Sequence, residues 1–286
     1  MTYELIAFDM DGTLLDSTKK VLPSSIEAIR EAQEAGKAVA ICSGRCPAMI
    51  TMHAAELPGV RYAVCGSGAA LYDIAEDQVL ATFPIEPELI VHVGKLVQDE
   101  DVMPEIFAGK GFFYQRDQLA IMDHFSMGIY QHMYGTMGTP VDDMKDMLVN
   151  PQMPYLKFNL HFATAEARAR VRAQIEDLPL ELIDSEASSL ELSPKGINKG
   201  TGLLALADKL GIDHAATISV GDADNDLAAL RMAGLGLAMA NANENAKQAA
   251  DVVLGHDNDH GGCAEAVRRF LLGGETVGTA TGAATR

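Results

Sequence analysis

The chain has 286 residues, 48% of them hydrophobic, and a formal net charge of −18. Such a length and apolar content can bury one large or two moderate cores, while the negative field excludes a role built on nucleic-acid backbones or anionic lipid. Cys42, Cys46, Cys65 and Cys263 show no Cys-x-x-Cys spacing and no apolar run reaches membrane-spanning length, so a reduced, cytoplasmic protein is expected, a monomer or a small homo-oligomer.

Leu5-Ile6-Ala7-Phe8 is a short apolar run bounded by turn residues and predicts a buried strand. It runs straight into Asp9-Met10-Asp11-Gly12-Thr13. In an open α/β sheet the ligand crevice lies at the carboxyl ends of the strands. Asp9 and Asp11, two residues apart, would point the same way from an extended backbone. Carboxylates that close repel unless a cation or a shared proton intervenes. Gly12 permits a tight turn and close approach to a ligand, and Thr13 adds a hydroxyl and an N–H. A polar turn that merely ends a strand is the plainer reading of the same residues.

Ser24, with Glu27 three residues on, has the form of a capping box and predicts a helix over about 25–35, ended by Gly36. Ala38-Val39-Ala40-Ile41-Cys42 predicts a second buried strand, which ends in Ser43-Gly44-Arg45. Strand, helix, strand favours a right-handed parallel crossover, which would bring Ser43 beside Asp9 at one sheet edge. The Ser43 hydroxyl and the amides after it can hold an anion, with Arg45 adding charge, although Ser-Gly-Arg also makes an ordinary turn. A helix over 47–56, a strand over 62–65 and a Gly66-Ser67-Gly68 turn follow, with 68–72 as the return arm of a hairpin.

From Phe83 the character changes: prolines interrupt the chain, and aromatic residues and methionines accumulate. Strand-like alternation over 155–162 and 180–183, around a helix over 165–176, predicts a second α+β domain inserted at 83–190. Its methionines and aromatics read first as core. Phe112, Tyr114, Arg116 and His161 are open between core and lid contacts, and His124, His132 and His161 lack metal-ligand spacing.

Regular α/β order returns after Leu190. Lys195 and Lys199 precede a helix over 201–210, where the helix dipole gives a cation nothing, so an anion is the better reason for one of them. A solvated surface position is the plain alternative for either. Thr217-Ile218-Ser219-Val220 predicts another buried strand, ended by Gly221-Asp222-Ala223-Asp224-Asn225-Asp226. Three carboxylates in one strand-end loop work against stability. A hard cation would relieve them, and Mg²⁺ fits better than Ca²⁺ because the calcium-loop pattern is absent. Strands over 236–239 and 251–254 alternate with helices over 244–250 and 262–272, and the Gly-, Thr- and Ala-rich tail 273–286 is expected to be disordered.

An Asp-x-Asp-Gly-Thr after the first strand, a small hydroxyl after the second, a lysine at a helix start and Gly-Asp-x-x-x-Asp after a later strand occur here in that order. The chain resembles, over about 3–272, the haloacid dehalogenase-like phosphohydrolases, and within them the Cof-like branch. The resemblance implies an α/β fold: a Rossmann-like parallel-sheet core from 1–82 and 191–272, with the α+β block 83–190 as an inserted cap. It implies a Mg²⁺-dependent phosphatase that hydrolyses a small phosphorylated metabolite, foremost a sugar phosphate, through an aspartyl-phosphate. Asp9 would be the nucleophile, Asp11 the general acid and base, and Lys199 the cation that stabilises the transferring group. Mg²⁺ would be held by Asp9, the backbone carbonyl of Asp11 and Asp222, while Asp226 would order a metal-bound water or orient Lys199. Gly12, Ser43, Gly44, Arg45 and Asn225 would meet the substrate. Ser43 stands where many relatives have Thr, which keeps the hydroxyl. Ser67 stands where Asn is often found, which leaves the contact made there open. The competing readings are a phosphomutase or a phosphatase dedicated to one compound and, from another class, a non-catalytic phosphate- or Mg²⁺-binding domain.

Overall fold

The structure, a computed structural model, describes residues 2–273 apart from 54, 58 and 186, so the tail expected to be disordered lies, beyond Gly273, outside the described residues. Two compact units divide the chain: Met1–Ala40 with Glu56–Val60 and Ala207–Arg286, and Ile41–Ala55 with Arg61–Leu206. In chain order the strands are β1 (Leu5–Phe8), β2 (Ala38–Cys42), β3 (Tyr62–Cys65), β4 (Ala70–Asp73), β5 (Gln78–Thr82), β6 (Val102–Ala108), β7 (Gly111–Gln115), β8 (Thr139–Val141), β9 (Lys157–Phe162), β10 (Leu180–Ser185), β11 (Ser189–Pro194), β12 (Thr217–Gly221), β13 (Leu235–Ala238) and β14 (Val252–Val253). The α-helices are α1 (Pro23–Glu34), α2 (Pro47–Thr51), α3 (Pro87–Leu96), α4 (Gln131–Met137), α5 (Met144–Val149), α6 (Ala165–Ile175), α7 (Lys199–Leu210), α8 (Leu227–Met232), α9 (Glu244–Ala249) and α10 (Gly262–Ala266). None of the described helices is long and apolar enough to cross a membrane.

In the first unit a parallel sheet runs β14-β13-β12-β1, with β2 on the free side of β1. Leu5, Ile6, Ala7 and Phe8 are all fully buried, as an unbroken apolar run must be in a sheet covered on both faces. The fold is therefore α/β around a parallel sheet, as expected. Helix α1 departs from its expected start. It begins at Pro23 after Leu22 with no side-chain cap, so Ser24 and Glu27 form no capping box. Proline at the first helical position already has the helical φ and lacks the N–H that a cap would satisfy.

In the second unit β3, β4 and β5 form an antiparallel meander, and Cys65 pairs with Ala70 across the Gly66–Gly68 turn. A second sheet has the order β10-β11-β9-β6-β7-β8. Along its central strand β9, Phe158, Leu160 and Phe162 turn one way, into an apolar cluster that also takes Ile90 and Val93 of α3, Leu148 of α5 and Val171 of α6. Lys157, Asn159 and His161 turn the other way and are nonetheless buried, at 2%, 7% and 3% exposure.

Candidate active site

Strands β1 and β12 pair in parallel with Phe8 opposite Val220. The residues that follow, Asp9 on one and Gly221-Asp222 on the other, therefore leave the sheet side by side, and the Asp9 N–H prolongs the ladder by donating to the Val220 carbonyl at 3.0 Å. That register turns two sequence-distant acidic loops into one site. Carboxylate oxygens of Asp9, Asp222 and Asp226 lie within 4.8 Å of one another. Asp9 and Asp226 are 6% and 2% exposed, so water screens their repulsion poorly.

The neighbours hold these groups in place. Thr13 Oγ1 donates to Asp222 Oδ1 at 2.7 Å. Asp226 Oδ2 accepts from the backbone N–H groups of Asp222 and Ala223, at 3.0 and 3.2 Å, which folds the loop back on itself. Asn241 Nδ2 donates to the Gly12 carbonyl at 2.8 Å. Behind them burial pushes the Cys263 thiol up, and the charges of Asp9 and Asp222 push it further. The Asp11 carboxylate faces outward and is paired with Lys19 at 2.8 Å, both side chains being largely exposed. Asn225 Oδ1 is buried with no hydrogen-bond partner among the described residues. The three convergent carboxylates are an all-oxygen donor set, which suits a hard cation such as Mg²⁺.

Gly12 has φ +78°, and a Cβ there would lie 2.4 Å from Asp222 Oδ2. Gly12→Ala is thus expected to displace Asp222 and to lower kcat/KM by on the order of tenfold, since small misplacements of reacting groups are costly. Steady-state kinetics with saturating Mg²⁺ would check it, and wild-type values in that variant would refute the steric reading.

The other expected site residues fall in the second unit. The Ser43 N–H donates to the Val64 carbonyl at 2.9 Å, and Ser43 Oγ accepts from the Arg45 N–H at 3.3 Å. Arg45 Nη1 lies 3.4 Å from His53 Nε2. The two candidate lysines differ: Lys195 is exposed, whereas Lys199 is 1% exposed. Helix α7 starts at Lys199, two residues before its expected start, because Asn198 Oδ1 accepts from the N–H groups of Gly200 and Thr201, both at 3.0 Å, and so caps it. Helix α7 is seated tightly on the hairpin turn. A Cβ on Gly68 would lie 2.2 Å from the Asn198 carbonyl oxygen, and one on Gly202 2.5 Å from Val64 Cγ1.

Sequence reasoning overlooked Lys157. It is paired with Glu191, and its Nζ lies 3.5 Å from the Gly44 carbonyl oxygen. Burial raises the Glu191 pKa, but the Lys157 ammonium, with help from Ser185 and Lys199, outweighs this and holds the carboxyl below its ordinary value. Glu191 therefore senses both Lys157 and the lysine that opens α7.

Residues 6–267 match the sequence profile of the haloacid dehalogenase-like hydrolases. A 5-amino-6-(5-phospho-D-ribitylamino)uracil phosphatase of Bacillus subtilis is 26% identical, the match covering 94% of this chain and 96% of that protein. A pyridoxal phosphate phosphatase of Escherichia coli is 28% identical, covering 95% of this chain and all of that protein, 100%. Among solved structures, a haloacid dehalogenase-like hydrolase from B. subtilis superposes with a TM-score of 0.81 at 26% identity, over 94% of this chain and 100% of that one.

Proposed function

Because this chain belongs to the haloacid dehalogenase-like hydrolase family, we propose that it is a Mg²⁺-dependent phosphatase that hydrolyses a small phosphorylated metabolite, foremost a sugar phosphate, through an aspartyl-phosphate. The observation that carries this reading is the convergence of Asp9, Asp222 and Asp226 at the ends of β1 and β12. Mg²⁺ would be held by Asp9, Asp222 and the Asp11 carbonyl, and when bound it offsets the repulsion between the carboxylates and the phosphate.

Asp9 attacks phosphorus with a carboxylate oxygen. The bond from phosphorus to the ester oxygen breaks, and that oxygen leaves with the electron pair and takes a proton from Asp11. Asp11, now a carboxylate, removes a proton from water, whose oxygen attacks the phosphorus of the aspartyl-phosphate and restores Asp9. The exposure of Asp11 to solvent is in keeping with such proton exchange. Ser43, the amides after it and Lys199 are assigned to the phosphoryl oxygens, Gly12, Arg45 and Asn225 to the substrate, and Asp226 to holding the loop of Asp222. Residues 83–190 are proposed as a cap whose side chains select the substrate.

Hydrolysis of phenyl phosphate measured in EDTA and in millimolar Mg²⁺ tests the proposal. Turnover that appears with Mg²⁺ and vanishes with EDTA is expected. Phosphate binding without Mg²⁺-dependent turnover would favour a binding domain instead.

A further inference from the structure

The loop that follows β1 carries Asp11 and is held by residues 229 to 250 positions later in the chain. Asn241 Nδ2 donates to the Gly12 carbonyl at 2.8 Å, Cys263 Sγ to the Thr13 carbonyl at 3.3 Å and Asn258 Nδ2 to the Leu15 carbonyl at 3.0 Å. Asp259 Oδ1 accepts from the Ser17 N–H at 2.8 Å. The segment is thus tied to the loop after β13, the loop after β14 and the start of α10. The two asparagines also meet, for Asn241 Oδ1 accepts from the Asn258 N–H at 3.2 Å, so Asn241 uses both ends of its amide. Asp257 steadies the loop that bears Asn258: its Oδ1 accepts from the Asp259 N–H at 3.0 Å and meets His260 Nδ1 at 2.6 Å.

An asparagine that stitches one loop to another is ordinary in itself. What these two hold is the backbone around Asp11. Gly12 is its neighbour in the chain, and Leu15 pairs with Asp11 in a single β-bridge. Leu15 is fully buried, so its carbonyl needs a partner that water does not supply, and Asn258 is one. The Asp11 side chain, by contrast, is largely exposed and pairs with an exposed Lys19, a kind of contact that fixes geometry weakly. Where Asp11 puts its carboxyl is accordingly governed by where its backbone is held.

We propose that Asn241 and Asn258 are positioning residues for the proton that Asp11 delivers: together they set the backbone over 11–15, and with it the distance from the Asp11 carboxyl to the leaving oxygen. The inference rests on the phosphatase reading and adds two residues to it. Protonation by a general acid helps most where the leaving oxygen is strongly basic. Phenolate is such a leaving group and gains from a well-placed acid, whereas 2,4-dinitrophenolate is a weak base and leaves without one. A displaced Asp11 must therefore slow the two esters unequally.

The test measures kcat/KM for phenyl phosphate and for 2,4-dinitrophenyl phosphate at saturating Mg²⁺, in wild type, Asn241→Ala, Asn258→Ala and Asp11→Asn. Each asparagine variant is expected to lose about tenfold with phenyl phosphate, part of the roughly 10²–10⁴-fold that a positioned acid supplies, and less than about threefold with the dinitrophenyl ester. Added to Asp11→Asn, either replacement is expected to leave the ratio between esters where Asp11→Asn alone puts it, since both act through one group. Asn241 is exposed, so Asn241→Ala loses little packing and keeps the test open even where Asn258→Ala melts early. The rise in melting temperature on adding Mg²⁺ is expected to match that of wild type in both variants. Equal losses for the two esters, or no loss with either, overturn the inference. So does a lost Mg²⁺ increment, which would mean that these bonds serve Asp222 through Thr13 instead. A wild type that hydrolyses neither ester with Mg²⁺ refutes the phosphatase reading first and the positioning role with it, whereas an unchanged ratio in active variants refutes the positioning role alone.

Discussion

Asp9→Asn is expected to lower kcat by on the order of 10⁴-fold or more, the scale on which removing a covalent nucleophile acts, while leaving the chain folded. The amide has nearly the shape of the carboxylate, and the Asp9 N–H that extends the ladder to Val220 is backbone and unaffected. One negative charge is removed from a group of three carboxylates, so the folded state loses a source of repulsion. What the variant lacks is an anionic oxygen able to displace the ester oxygen from phosphorus. Single-turnover kinetics with phenyl phosphate, beside a circular dichroism melt, would check both halves. Residual activity within tenfold of wild type, from a preparation free of wild-type enzyme, would remove Asp9 from the nucleophile's role and with it the aspartyl-phosphate. A collapse of the melt would instead show that the carboxylate serves the fold.

The first unit was legible because its signals are local and strong. Leu5–Phe8 and Thr217–Val220 are continuous apolar runs with acidic loops attached, and the parallel register needs only that both be central strands. The α1 start was misjudged because Ser24 and Glu27 satisfy a capping pattern one residue after a proline that makes the cap unnecessary. The α7 start was placed two residues late because Asn198 was not weighed as a cap, although its spacing to Gly200 and Thr201 allows it. Asp226 was expected to order a metal-bound water or orient Lys199. Its carboxylate lies within 4.8 Å of those of Asp9 and Asp222, and it packs against Gly221, where a Cβ would lie 2.4 Å from Asp226 Cγ.

Lys157 was illegible for a different reason. The alternation Lys157, Asn159, His161 against Phe158, Leu160, Phe162 reads correctly as a strand with one polar face. Period alone does not say whether water or protein covers that face. The signal that was available is chemical: lysine, asparagine and histidine together make a face with both donors and acceptors, unlike the repeated Lys, Glu or Thr of a solvated strand. Phe107, whose ring lies 5.3 Å from Lys157 Nζ, and the aromatic group of Phe112, Tyr114 and Tyr134 belong to this same covered side, so two residues left open between core and lid, Phe112 and Tyr114, lie within an apolar cluster.

Asp222→Asn should have effects of opposite sign on stability and on catalysis, which separates a metal ligand from a structural aspartate. Without divalent ions the three carboxylates repel, and a unit-charge pair about 4 Å apart costs roughly 4 kcal/mol at an effective dielectric of 20. The Thr13 hydrogen bond to Asp222 relieves some of this. The variant is therefore expected to melt a few degrees higher than wild type in EDTA, at about 2–4 °C for each kcal/mol in a chain of this size. Mg²⁺ at about 100 times its dissociation constant adds roughly 2.7 kcal/mol to a folded state that binds it. Wild type should thus gain about 5–10 °C on adding Mg²⁺, and Asp222→Asn should gain little, so the order of the two melting temperatures reverses. Turnover should fall by on the order of 10²–10³-fold, the loss that follows removal of one preorganised electrostatic group from a charged transition state. Differential scanning fluorimetry across a Mg²⁺ titration gives the first result and steady-state kinetics the second. A variant that melts below wild type in EDTA, and that still gains the full increment from Mg²⁺, would mean that Asp222 braces the β12 loop through Thr13 and that the ion, if bound, is held elsewhere.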